Sequence, residues 1–161
     1  MRTLIEGAGL VAVAVPEHGP IPHSYWGAPE AGLTDAAFYV SAATPLHSVL
    51  HELCHFLVMP PARRARLDTD AGGDDAEEQS VCYAQALLAD GIEDYGRERL
   101  FAEMDAWGYS FREGSAAAWF AGDGRAARAG LASVRAHFRY LASHSCTASC
   151  HATLLAGLKT Q

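Results

Sequence analysis

The chain has 161 residues, half of them apolar, with 12 basic and 19 acidic side chains for a formal net charge of -7. That length and apolar content suit one globular domain with a sizeable core, and exclude a disordered or low-complexity chain. The negative balance argues against a nucleic-acid or anionic-membrane partner, and no apolar run approaches the length of a membrane span. Four cysteines, Cys54, Cys82, Cys146 and Cys150, are too few and too irregularly spaced for a disulfide framework. A reducing, cytoplasmic setting is the expectation.

Arg2 precedes an apolar run at Leu10–Val15, but Glu6 interrupts the approach, so the N-terminus reads poorly as a signal peptide. Residues 9–15 read instead as a buried β-strand ended by Pro16. Residues 16–35, dense in Pro and Gly and carrying His18, His23, Tyr25 and Trp26, read as an ordered but irregular loop. A second strand is expected over Ala36–Ala42, centred on Phe38-Tyr39-Val40. Thr44 and Pro45 then suit the N-cap and first position of a helix that runs to about Met59, where Pro60-Pro61 stops it. Leu46, Val49, Leu50, Leu53, Phe56 and Leu57 give that helix a broad apolar face.

The same helix carries His51-Glu52-Leu53-Cys54-His55. Histidines four apart on a helix stand on one face, about 6 Å apart in rise, and both can reach one divalent ion. Glu52 sits about 100° round from His51, beside the ion rather than on it, where a carboxylate can serve as general base or acid. Two incidental histidines on a surface helix are the bland alternative. His47 shares the stripe one turn earlier, but His47 and His55 are about 12 Å apart along the axis, so His47 is expected at the pocket mouth and not as a ligand. Cys54 is expected to face away from the ion as a small core residue.

A basic stretch, Arg63-Arg64-Ala65-Arg66, leads to a polar loop over Asp68–Asp75 whose acids are read as solvated and without a role. The next helix, from near Ala76 to Ala89, opens with Glu77-Glu78. A catalytic zinc site usually takes three protein ligands, so one of this pair is the expected third. Glu77 aligns with Val81, Ala84 and Leu88 at the centre of the apolar stripe, which favours it. Glu78 aligns with Cys82 and Gln85, a more polar stripe that could equally face a wet site. The residue not used as a ligand would serve the helix dipole.

The C-terminal third reads as Ala-rich helix, over Tyr95–Ala106 and from about Ala116 to Leu158, broken near Gly108, Gly114 and Gly122-Asp123-Gly124. Leu131, Val134, Phe138 and Leu141 form a stripe expected to pack behind the histidine-bearing helix. Trp107, Tyr109, Phe111, Trp119 and Phe120 are expected in the core or pocket wall. Cys146, Cys150, His144 and His151 lie close in sequence, but one helix cannot surround an ion, and they are read as free thiols and surface histidines.

In this order and with similar gaps, Phe38-Tyr39, His51-Glu52-x-x-His55-Phe56, Ala62-Arg63-Arg64, Glu78 and Gln85-Ala86-Leu87 resemble the elongation factor P hydroxylase family, and Gly108-Tyr109-Ser110-Phe111 echoes that family's Gly-Tyr-x-Phe stretch. The likeness covers about the middle half of the chain. It implies metal ligation by His51 and His55, favours Glu78 over Glu77, and implies metal-dependent hydroxylation of a modified lysine on a translation factor. The chain departs from the family at Asp68–Asp74, where an aromatic stretch and a Pro-Asp-Gly-Arg run would stand. The same core also resembles small bacterial metallopeptidases with a His-His-Glu site.

These readings give an α+β fold, mainly helical and zincin-like, with a small N-terminal β element beside the His-Glu-x-x-His helix. The strand before that helix would lie at a sheet edge, by analogy with the substrate-binding strand of zincins. The expected function is a mononuclear metalloenzyme acting on a peptide or protein. Zinc would make it a metallohydrolase with Glu52 as general base, and iron a hydroxylase. A non-catalytic binding module on the same scaffold is the alternative of another class, and an intact Glu52 weighs against it.

Overall fold

A computed structural model of the chain describes residues 1–111 and 113–144. The fold is α+β: a small three-stranded sheet near the N-terminus, then a succession of helices. Helix α1 (Arg2–Gly7) leads into β1 (Val11–Ala14), followed after a long loop by β2 (Gly32–Leu33) and β3 (Ala37–Val40). Helices α2 (Leu46–Val58), α3 (Pro61–Arg64), α4 (Asp75–Ala89), α5 (Gly96–Trp107) and α6 (Ala116–Ala121) follow. A 3-10 segment (Asp123–Gly130) then precedes α7 (Leu131–His144). Among the described residues no helix is long and apolar enough to cross a membrane.

The sheet order is β1-β3-β2, with β1 parallel and β2 antiparallel to β3. This corrects two sequence expectations. The strand over 9–15 is not buried: β1 is an edge strand, and Val11 is 62% exposed. The strand before the histidine helix is not at an edge: β3 has neighbours on both sides, with Phe38 and Val40 turned into the core. The loop over 16–35 supplies the unforeseen β2, whose outer side is covered in turn. Leu33 N donates to His23 O at 3.0 Å, and a Cβ on Gly32 would stand 1.9 Å from Pro22 O, so only glycine fits there.

Helix α2 is the hub. Eleven of its thirteen residues are buried, including the polar His47, Ser48, Glu52 and His55, so it is enclosed on all sides rather than along one face. Its start differs from expectation: Pro45 is the cap residue, and Thr44 Oγ1 turns back to accept from Ser41 N at 3.0 Å. Its end follows the sequence, with Met59 extended before Pro60-Pro61. Arg64 closes that end by donating to the carbonyls of Phe56, Leu57 and Met59 at 2.7–3.2 Å, three groups a helix C-terminus leaves without intrahelical donors.

Helix α4 packs along α2, and α7 lies behind both through Leu131, Val134 and Phe138, as the periodicity requires. His137 on α7 meets the Phe56 ring edge-on at 5.6 Å and hydrogen-bonds Ala8 O at 2.8 Å, joining α2, α7 and the N-terminus. The short helix α1 escapes the sequence reading because it has only Leu4, Ile5 and Gly7 to bury.

Candidate metal centre

Two helices build the site. On α2, the i, i+4 spacing brings His51 and His55 together with Nε2 atoms 3.2 Å apart and rings edge to face. On α4, Asp74 caps the helix by accepting from Glu77 N at 2.9 Å, which fixes the azimuth of the first turn. That azimuth separates the two glutamates. Glu78 reaches the histidines, with Oε1 3.3 Å from His55 Nε2 and Oε2 3.8 Å from His51 Nε2. Glu77 turns the other way and pairs with Arg63. Helical arithmetic on the apolar stripe favoured Glu77, but the member beside the histidines is Glu78, because the stripe through Glu78, Cys82 and Gln85 is itself buried against α2: Cys82 is 8% exposed and Gln85 is 0%.

His51, His55 and Glu78 are a group of side chains that could hold a metal ion. The donor set, two imidazoles and a carboxylate, is one that divalent transition-metal ions accept. Four ligands arranged tetrahedrally at about 2.0–2.1 Å from an ion stand about 3.3–3.4 Å from one another. The separations of 3.2 and 3.3 Å match that edge, and the 3.8 Å one lies close to it. Two imidazole nitrogens at that distance with no shared proton or cation would gain nothing from their approach. The residues present fit a divalent ion.

Glu52 lines the same cavity, of about 320 Å³, with its residue only 8% exposed. Burial, then the nearby carboxylates of Glu30, Glu78 and Asp70, push its carboxyl up to about 8. Burial pushes His51 down to about 4 against the opposing contact with Gln85, and burial with the neighbouring His51 and Arg63 pushes His55 down to about 3. Both imidazoles are therefore neutral at ordinary pH, the state in which they donate a lone pair.

The wall of the cavity comes from the two segments whose roles the sequence left blank. Tyr25 and Trp26 line one side, and Thr69, Asp70, Ala71 and Gly72 the other. The acidic loop is not merely solvated, because it is pinned to the sheet: Thr69 N donates to Leu33 O at 3.0 Å and Asp35 N to Leu67 O at 2.9 Å. Asp68, by contrast, is outside the cavity lining and takes a hydrogen bond from His23 Nδ1 at 2.6 Å. Glu30 holds the 16–35 loop to α2 by accepting from Ser48 Oγ at 3.0 Å. Neither Asp70 nor Glu30 has a sequence signature; only long-range pairing brings them to Glu52.

His47 is not at the cavity mouth. Its ring packs against Trp107 at 4.9 Å and Tyr109 at 6.2 Å, away from the His51–Glu78 cavity. Tyr109 also meets His51 edge-on at 5.4 Å, so the aromatic cluster props the back of the histidine pair. Cys54 is wholly buried in the core, as expected. The cluster of Cys146, Cys150 and His151 lies outside the described residues.

No protein-family model matches the chain, and no curated protein or solved structure is detectably similar to it. The likeness to elongation factor P hydroxylases and to small metallopeptidases thus rests on the residues quoted for it.

The titrations predict how stability varies with pH once any ion is removed by a chelator. The imidazoles of His47, His51 and His55 have lowered values, so below the ordinary value of 6.5 the unfolded chain binds protons that the fold does not, and stability falls as pH drops. Glu52 and Glu78 have raised values, so above the ordinary 4.5 the fold holds protons that the unfolded chain releases, and stability falls as pH rises toward 8. With three groups opposing two, the maximum is expected at roughly pH 6.5–7. Thermal unfolding midpoints between pH 4.5 and 8.5 measure this, and a midpoint rising steadily across that range contradicts it.

Proposed function

We propose that this chain is a mononuclear metal-dependent hydrolase of zincin-like architecture that cleaves amide bonds in a peptide or protein substrate. His51, His55 and Glu78 are the metal ligands, zinc is the ion, and Glu52 is the general base. One observation carries the reading: a buried carboxyl that shares a cavity with a convergent His-His-Glu group. Burying His55 and Glu52 costs stability, and a fold keeps such groups where chemistry needs them.

A bound zinc ion would supply Lewis acidity, polarising a carbonyl and lowering the pKa of a water molecule. The chain's own residues do the rest. Glu52 takes the proton of the attacking water and delivers it to the leaving nitrogen; the positive charge of a bound ion would favour the ionised carboxylate that the first of these transfers needs. Glu30 and Asp70 raise the proton affinity of that carboxyl, which favours its protonated state between the two transfers. The central position of β3 and the covered side of β2 rule out strand addition there. Substrate reaches the centre between the exposed Trp26, with its partner Tyr25, and the loop of Thr69–Gly72.

A second reading, an iron-dependent hydroxylase, is favoured by a specific observation. Glu78 rather than Glu77 meets the histidines, the choice the elongation factor P hydroxylase likeness favours. Two imidazoles and one carboxylate with open positions also suit iron(II). Incubation with a mixed peptide pool separates the two. Hydrolysis creates new amino termini in proportion to enzyme and needs no oxygen. A pool that gains oxygen atoms but no amino termini overturns the hydrolase reading.

A further inference from the structure

We propose that the groove between α3 and α7 binds a medium-chain alkyl carboxylate, with its head on the Arg64 guanidinium and its tail along the apolar walls. The groove lies past the C-terminal end of α2, shares no lining residue with the metal cavity and does not depend on the metal reading.

The groove encloses about 570 Å³, a volume within the range that small-molecule sites occupy. Ala136 and Tyr140, four apart on one face of α7, form one wall, and Met59 and Pro61 form the other. The Tyr140 ring is 59% exposed, so it presents apolar surface that the core does not use. Arg64 is the only Arg, Lys, Asp or Glu among the described lining residues.

A guanidinium carries five N–H donors. Nε and Nη2 of Arg64 serve the carbonyls of Phe56, Leu57 and Met59, and Nη1 donates to His137 Nδ1, which leaves one N–H of Nη1 unassigned. The Phe56 ring covers one face, with Arg64 Cζ 4.7 Å from its centroid. None of these partners is an anion. Arg2, Arg63, Arg97 and Arg99 each have a carboxylate within ion-pair distance, and among the described residues Arg64 has none. The C-terminus of α2 offers about half an elementary negative charge, so roughly half of the cation is left unbalanced. Burial weakens the hold of this guanidinium on its proton, and no neighbouring carboxylate opposes that shift. A singly charged carboxylate supplies the missing anion and an acceptor for the unassigned N–H, while the apolar walls select a head that carries a tail. An Arg64 that served only to cap α2 would give the groove no preference for an acid over the matching alcohol.

The test titrates octanoate into the full chain and follows the nitrogen-15 signals of the backbone amides over 133–140 and of Arg64 Nε–H. Octanoate should bind saturably, one per chain, and shift these signals. 1-Octanol should bind at least about tenfold more weakly, the smallest loss expected when a charge-assisted hydrogen bond is missing, and acetate, a head without a tail, should not saturate the site. Ala136→Trp places bulk in the groove from an exposed position on α7 and should abolish octanoate binding, with thermal unfolding verifying that the variant is folded. Equal affinity for 1-octanol or acetate, no saturable binding of octanoate, or undiminished binding in a folded Ala136→Trp overturns the proposal. Two other occupants would overturn it as well. Signals over 133–140 that move with protein concentration alone would assign the groove to a second copy of the chain. Cross-peaks from the Leu154, Leu155 or Leu158 methyls to the Tyr140 ring would assign it to the chain's own C-terminal stretch.

Discussion

Replacing Glu52 by Gln should abolish turnover and leave the metal in place. General acid–base catalysis contributes typically 10²–10⁴-fold, and the release of new amino termini from a peptide pool should fall by about that factor. The substitution is gentle because the ion-free carboxyl, pushed up to about 8, is already protonated at neutral pH, and an amide replaces a protonated acid with almost the same shape. Burial without charge is also less costly than burial with it, so metal-free Glu52→Gln should unfold at the wild-type temperature or slightly above it. Retained hydrolysis with metal bound would exclude the base role. Lost hydrolysis together with lost metal would instead mean that Glu52 is part of the coordination shell.

Glu78→Gln and Glu77→Gln should differ sharply in zinc affinity although the two residues are adjacent. The first removes the charged member of the His-His-Glu group and should weaken zinc by more than about 100-fold, beyond the loss typical of an outer partner. The second breaks an ion pair with the partly exposed Arg63, a loss of about 1 kcal/mol or less, and should keep zinc affinity within a few-fold. Chelator competition on the two proteins side by side reads the difference. A reversed order would transfer the ligand role to Glu77 and remove the geometric basis of the site.

What the sequence could convey divides by the range of the interaction. The i, i+4 histidines, the Pro-Pro stop after α2 and the Leu131–Phe138 stripe are local patterns with one physical reading each, and the fold uses them so. The choice between Glu77 and Glu78 was not local. It turns on which side of α4 faces α2, and two apolar contacts more or less cannot settle that when both stripes are buried. Asp70 and Glu30 were beyond reach, because their approach to Glu52 depends on the pairing of the acidic loop with β2 and of Glu30 with Ser48. The error over β3 has a similar source. A two-residue strand in a Pro- and Gly-rich loop carries no periodicity, yet its presence turns an edge into a centre.

The central claim is that His51, His55 and Glu78 together hold one divalent ion. Elemental analysis of the full chain, purified without added metal and then again after incubation with zinc and removal of the excess, tests it most directly. One equivalent of metal per chain, lost in a folded His55→Ala variant, is the predicted result. A folded wild type that carries no metal and takes up none, or one that binds it equally well without His55, would contradict the claim.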